Sequence, residues 1–463
     1  MEIANVYFLG IGGIGMSAIA RWFLHQGKRV GGYDRTPTAL TAALEREGAR
    51  IHYEDRVELI GSEFRNPADT LVIYTPAIPA DHSEWRWFVA QGFEIVKRSQ
   101  ALGHLCRGKF VMAVAGTHGK TTTSTLAAWL NRCCTAEGGS AFLGGISKNF
   151  DSNLVLGGGR RMVVEADEFD RSFLRLDPDV AVITSADADH LDIYGTHEAV
   201  KEAFAQFAER IRPGGTLIIK QGVDVAMRNG QISVYRYSYD AGGDFYARNA
   251  ELLEGGYYRY DIVCPDRVIT GCRLGIPGWV NIENSVAAVA MLWAADRGFD
   301  EEKLREGLAS FSGVRRRFDF YINTPQRVYM DDYAHHPREL SATITSVKRM
   351  FPGREVTAVF QPHLYTRTRD LYAGFAEALS EADRVVLIPI YPARELPIEG
   401  VSSQMIAERV SVPCTMSDRE HLADTLAGMN PDVVITFGAG NIDACCAAVA
   451  EKLKPMCSKR ADE

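Results

Sequence analysis

The chain has 463 residues, 46% of them apolar, and a formal net charge of −8. That length sets an expectation of about three domains, and the apolar content is ample for buried cores. The acidic balance argues against a nucleic-acid partner, which selects a basic face. Small polyanions stay open, because a glycine loop and a few cations hold them locally. No run of about 18 apolar residues occurs, so no membrane span is expected. The start, MEIANVYFLGIGG, leads straight into a strand with no signal-peptide pattern. The nine cysteines lack metal-ligand spacing. Cys133-Cys134 and Cys445-Cys446 are adjacent pairs in helical stretches, where packing is favoured over disulfides. These features fit a cytoplasmic protein in a reducing compartment, as a monomer or homodimer.

In residues 1–105, Asn5–Leu9 reads as a strand and Met16–Gln26 as the helix after it. Between them, Gly10, Gly12 and Gly15 fit GxGxxG, with Gly13 also in the loop. A second strand, Arg29–Tyr33, ends in Asp34, an acid about 20 residues on. Thr70–Tyr74 ends in Thr75, and Glu94–Val96 follows. A Rossmann-like unit is expected. Its glycines suit a pyrophosphate at a helix N-terminus, which NAD, FAD and a UDP-sugar all carry. A nicotinamide dehydrogenase and a tight turn with no ligand both remain open on this loop alone.

Residues 106–314 open on the strand Phe110–Ala115. Gly116, Thr117, His118, Gly119, Lys120 and Thr121 then turn into a helix. Strand, glycine loop, Lys and Thr in that order suit a nucleoside triphosphate. Lys120 is expected in a solvated loop as a mobile charge for the outer phosphates, with Thr121 or Thr122 holding Mg²⁺. The full GxxxxGK[ST] pattern wants glycine at 114, where Val114 stands, so an ordinary strand-to-helix turn competes. A protein that only binds and hydrolyses nucleotide is a further reading. Arg161–Val164 ends in Glu165-Ala166-Asp167-Glu168, and Val180–Thr184 is followed by the run from Ser185 to His190. Acids and imidazole at the C-terminal ends of parallel strands mark a ligand edge. Glu165 and His190, with phosphate oxygens, suit Mg²⁺ or Mn²⁺. Lys201–Ile211 reads as a helix and Thr216–Lys220 as a strand. Residues 232–275 suggest an antiparallel patch. Asn281 precedes the helix Ser285–Ala295 and either caps it or reads an adenine edge.

In residues 315–463, strands Val328–Met330, Val356–Phe360, Arg384–Ile388 and Val433–Thr436 alternate with helices, a second open parallel sheet. Its strand ends carry Asp332, His335, His363 and Arg367. The joint Gly313–Arg317 holds three arginines, either a solvated hinge or an anion clamp, about which the C-terminal part is expected to close.

GTHGKTT, EADE, ADH, NIEN, RRF, DDYAHHP and FQPHLYTRTR, in that order and over nearly the whole chain, resemble the Mur ligases. The resemblance implies an α/β protein of three domains. These are a Rossmann-like UDP-sugar domain (1–105), a central P-loop-type ATPase domain (106–314) and a C-terminal Rossmann-like amino-acid domain (315–463). GIGGIGM and DDYAHHP favour the branch that joins L-alanine to UDP-N-acetylmuramate over the one that attaches a tripeptide to the same sugar nucleotide. Carried over, Gly10, Gly12, Gly13 and Gly15, with Asp34 and Thr75, hold the UDP-sugar. Gly116 to Thr122 hold ATP. Thr121, Glu165 and His190 hold the metal. Asn281, Arg317 and Asp332 contact ATP. His335, His363 and Arg367 lie near the carboxylate and the amino acid, and Lys120, His190, Arg317 and His335 are the implied catalytic set. Val280 stands where many members have His.

Overall fold

Asn5–Leu9 is buried along its length because it is the middle strand of the first sheet. The sheet runs Arg50–His52, Arg29–Tyr33, Asn5–Leu9, Thr70–Tyr74, Glu94–Lys97, all parallel. This is a computed structural model, and it describes residues 3–187, 191–240, 242–393 and 395–454. One face of this sheet holds a polar cluster: the Tyr7 hydroxyl donates to Glu84 Oε2 at 2.8 Å and lies 2.7 Å from His52 Nε2. Glu84 is fully buried. Burial pushes its carboxyl up to about 8, against the hydrogen bond from Tyr7.

The second sheet has ten strands. Their order is Val268–Arg273, Tyr258–Val263, Phe245–Leu252, Ser233–Ser238, Thr216–Lys220, Val180–Ile183, Phe110–Ala115, Arg161–Glu165, Ser140–Ser147, Ser152–Val155. Phe110–Ala115 pairs parallel with both Val180–Ile183 and Arg161–Glu165, so those three C-terminal ends share one edge. The antiparallel reading of 232–275 needs correction at its first strand. Ser233–Ser238 is parallel to Thr216–Lys220 and to the start of Phe245–Leu252. Its side-chain alternation gives a half-exposed strand in either orientation, so the sequence did not distinguish them. The helix Ile14–His25 of the first sheet packs on the outer strands of the second, with Trp22 and Phe142 ring centroids 5.5 Å apart. Asn153 Nδ2 donates to Ser17 Oγ at 2.9 Å across the same seam.

The third sheet runs Asp319–Asn323, Val328–Asp332, Val433–Phe437, Val356–Phe360, Arg384–Leu387, Cys414–Met416. Only Asp319–Asn323 is antiparallel to its neighbour. By internal contacts the chain forms two compact units. One runs through Arg248 and adds Ile262–Thr270 and Glu283–Phe311; the other holds Asn249–Asp261, Gly271–Ile282 and the chain from Ser312 on. Among the described residues no helix is long and apolar enough to cross a membrane, and all eight described cysteines are free thiols.

Candidate active site

In the first unit, the loop after Phe110–Ala115 is shaped by two glycines. Gly116 takes φ +136°, and a Cβ there would stand 2.0 Å from Thr184 Oγ1. Gly119 takes φ +80° and precedes the helix Lys120–Cys134, whose start no side chain caps. The first-turn amides of that helix have no intrahelical acceptor, and the dipole end is positive there. This is a fitting seat for phosphate oxygens. Ser185 presets the loop: its Oγ accepts the His118 amide at 2.8 Å and lies 2.8 Å from Thr117 Oγ1. His118 Nε2 is 3.5 Å from Asp187. Thr122 lies half-buried in the first turn of the helix.

Lys120 is not solvated as its loop position suggested. Its side chain is 15% exposed, and Nζ donates to Gly116 O at 2.6 Å and to Glu168 Oε1 at 2.9 Å. Burial pulls its ammonium down, but Glu168, Asp167 and Glu165 outweigh this and hold it above the ordinary lysine value. Glu168 is 1% exposed, and burial raises its carboxyl against the Lys120 charge.

Glu165 ends its strand facing the same helix. It accepts from Thr121 Oγ1 at 3.1 Å, Ser124 Oγ at 3.4 Å and the Gly144 amide at 3.1 Å. A Cβ on Gly144 would overlap the carboxylate at 2.2 Å. Thr121 and Glu165 thus present hard oxygens side by side, as Mg²⁺ or Mn²⁺ beside phosphate requires. Among the described residues no cluster of three His, Cys, Asp or Glu has metal-site geometry. His190, the imidazole expected to complete the metal set, lies outside the described residues.

The first glycine loop is equally tight. Gly10 takes φ +87°, and a Cβ there would meet Thr75 Cγ2 at 2.5 Å. Gly13 precedes the helix Ile14–His25 with no side-chain cap. Asp34 accepts the Gly12 amide through Oδ2 at 2.7 Å, so one of its oxygens is used in holding the loop.

In the second unit, the C-terminal edge gathers its own set. Asp332 accepts the Phe318 amide and the Ala334 amide, each at 3.0 Å. Burial pushes its carboxyl up to about 6, against Arg317 and those two amides. It therefore fastens the segment that carries Arg317. Arg316 is tied to Asp331 at 3.0 Å and to Gly440 O at 3.0 Å, and Arg316 and Arg317 each lie 5.2 Å over the Tyr333 ring. Arg316 and Arg317 are thus half-buried and not fully solvated, while Arg315 is exposed. His335 and His363 have ring centroids 6.4 Å apart. Arg367 Nη1 is 3.4 Å from His363 Nδ1, and Tyr391 stacks on His363. Burial lowers the His335 pKa despite Glu339. Asn281 is no cap. The helix starts at Trp279, and Asn281 Nδ2 donates to Pro277 O at 2.7 Å.

Three family models match in sequence order. They are the Mur ligase family catalytic domain over residues 5–110, the Mur ligase middle domain over 114–292, and the Mur ligase glutamate ligase domain over 316–440. The UDP-N-acetylmuramate–L-alanine ligase of Parabacteroides distasonis is 52% identical over 455 residues, covering 98% of each chain. The chain belongs to the Mur ligase family. The Phocaeicola vulgatus protein of the same name is 50% identical over 446 residues, covering 95% of this Mur ligase and 96% of its own length. The crystal structure of UDP-N-acetylmuramate-alanine ligase MurC from Thermotoga maritima superposes with a TM-score of 0.82 at 25% identity, covering 98% and 99% of the two chains. A murein peptide ligase from Psychrobacter arcticus shares the fold, with a TM-score of 0.70 at 19% identity over 97% and 98%. The three-domain α/β architecture expected from the sequence is that of this family.

Sequence reasoning passed over several residues of this Mur ligase. Glu168 stood in the acidic run after Glu165, but only burial reveals that it holds Lys120. Ser185 has a sequence signal only in hindsight, as the first polar residue past a strand end. Gly144 has none, because its role is set by a carboxylate 21 residues away in the chain.

Proposed function

We propose that this Mur ligase joins L-alanine to the carboxylate of UDP-N-acetylmuramate with cleavage of ATP to ADP and phosphate. The observation that carries the reading is the 52% identity to an L-alanine ligase across 98% of both chains. The nicotinamide dehydrogenase, which rested on GxGxxG alone, is set aside by the same full-length match.

A carboxylate does not acylate an amine at neutral pH, because its oxygen is a poor leaving group. Transfer of the γ-phosphoryl group to it gives an acyl phosphate and ADP. The amine then attacks the acyl carbon, and phosphate leaves with the C–O electrons. The Gly116–Thr122 backbone would bind and orient the triphosphate, and Lys120 would neutralise charge on the transferring group. A divalent cation, held by Thr121 and Glu165, would supply Lewis-acid stabilisation of the phosphate oxygens when bound. We assign the Gly10–Gly15 loop to the UDP-sugar, and His335, His363 and Arg367 to the amino-acid end. Asp332 acts by fixing the segment of Arg317.

The test is ADP release with UDP-N-acetylmuramate and ATP across a panel of amino acids and the tripeptide L-Ala-γ-D-Glu-meso-diaminopimelate. L-Alanine is expected to give the highest kcat/KM. ADP release that requires the tripeptide and ignores L-alanine would replace this reading with the tripeptide ligase. The family position fits work in the cytoplasm, where ATP and sugar nucleotides are supplied.

A further inference from the structure

The glycine loop of the first sheet has no cation of its own, since no Lys or Arg occurs from Gly10 to Met16. It has an acid instead: Asp34 sits against the Gly12 amide at 2.7 Å. A diphosphate seated there brings further negative charge beside that carboxylate, which a cation within a few ångström would offset.

Arg98 is placed to supply it. It begins the helix Arg98–Leu105, directly after the last strand of the first sheet. Its Nη1 lies 2.8 Å from the position a Gly15 Cβ would take. Gly15 is not among the residues with positive φ, so glycine is needed there for room and not for backbone conformation. Any side chain at 15 would push the guanidinium off the first turn of the helix behind the glycine loop. On its other side, Arg98 Nη2 donates to Asp167 Oδ2 at 3.2 Å. The side chain is 21% exposed, so it is neither free in solvent nor sealed from a ligand. Gly15, Arg98, Gly144, Glu165 and Asp167 line one cavity of about 100 Å³.

We infer that Arg98 is a substrate-binding residue that takes the diphosphate of the sugar nucleotide, with Asp167 holding the guanidinium in place. This rests on the ligase reading above. Asp167 follows Glu165 by two residues, so the contact ties the first helix turn behind the glycine loop to the strand end that carries Glu165.

Calorimetry of the full chain with UDP and with UDP-N-acetylmuramate, without ATP, tests it. Arg98→Ala is expected to weaken both by on the order of 10²-fold, as loss of a charge-assisted contact does. Arg98→Lys should recover about tenfold of this, since it restores the charge without the fork. Binding of a non-hydrolysable ATP analogue should stay within about threefold, which also reports on folding. Asp167→Asn leaves the cation but loosens its hold, so UDP affinity should fall by clearly less than in Arg98→Ala. If Arg98→Ala unfolds, Arg98→Gln carries the test: it keeps a donor for Asp167, drops the charge and should weaken UDP by a similar order. Wild-type UDP affinity in Arg98→Ala or Arg98→Gln would overturn the inference. So would an Asp167→Asn loss as large as that of Arg98→Ala, which would make the pair purely structural. A wild-type chain that binds neither UDP nor UDP-N-acetylmuramate would overturn the ligase reading itself, and the inference with it.

Discussion

Lys120→Met should damage both chemistry and folding, and the two effects are separable. The Lys120–Glu168 pair is 2.9 Å long, with side chains 15% and 2% exposed. At an effective dielectric of about 20, two unit charges at that distance attract by about 6 kcal/mol. Part of that attraction offsets desolvation, so deleting the lysine should destabilise the fold by roughly 3–5 kcal/mol, the range for stranding one charge of a buried pair. The penalty depends on pH. Without Lys120 the Glu168 carboxyl, already raised by burial, rises further. An acid with a raised folded pKa binds its proton more tightly when folded. Stability is therefore retained below the ordinary carboxylate range and lost as pH rises through the folded pKa. The variant should be closest to wild type in acid, below the ordinary carboxylate range, and fall behind as pH rises. Lys120→Met with Glu168→Gln should recover most of the stability and none of the activity, since the phosphate charge still lacks its partner, a loss of about 10²-fold or more in kcat. Urea unfolding at several pH values and ADP release would measure the two arms. Equal stability of Lys120→Met and wild type at all pH values would refute the buried-pair argument. Turnover within tenfold of wild type would refute the phosphate role.

Gly116→Ala forces a β-carbon to 2.0 Å from Thr184 Oγ1 at φ +136°; a stability loss above about 2 kcal/mol and a raised KM for ATP are expected, and unchanged values in both would contradict this account. Glu84→Gln should gain on wild type as pH rises from 5 to 8, because the carboxyl held up to about 8 favours the folded state below the ordinary range and stops doing so through that pH; the difference in unfolding free energy between the two proteins checks it, and a pH-independent difference would be the contrary result. Arg367→Ala should raise the KM for L-alanine by roughly 10- to 10²-fold, the worth of one charge-assisted hydrogen bond, while UDP binding measured by calorimetry stays the same.

The strand-and-loop frame was open to reading because it is written in local chemistry. Asn5–Leu9, Phe110–Ala115 and Val356–Phe360 are short apolar runs that end in glycine or polar residues, and a buried parallel strand needs little else. The strands at or next to a sheet edge were not. Ser140–Ser147 contains two glycines, and Arg50–His52 and Cys414–Met416 are three residues each, too short for any period to show. At the site, residues with unusual backbone or a fixed spacing, such as Gly116 and Glu165, could be named in advance. Residues whose role is a distance between remote segments could not. Arg98 meets Asp167 across 69 positions, and Lys120 meets Glu168 across 48. Pairings at such separations are set by sheet order. The solvation of Lys120 was misjudged for the same reason: a glycine loop implies exposure, and only the neighbouring strand end fills the space beside it.

The place of Phe110–Ala115 between Val180–Ile183 and Arg161–Glu165 governs when a nascent chain fixes the shape of its Gly116 loop. The first sheet closes on residues up to Lys97 and can form early. The glycine loop emerges next, but Thr184 and Ser185, which brace it, come nearly 70 residues later. At about 5–20 residues per second, the ribosome leaves that loop unbraced for roughly 3–14 s. A chain stalled between Thr122 and Val180 would carry the whole loop sequence without its braces, so the loop takes its fixed shape during synthesis only after the second sheet has gained both neighbours of the loop strand.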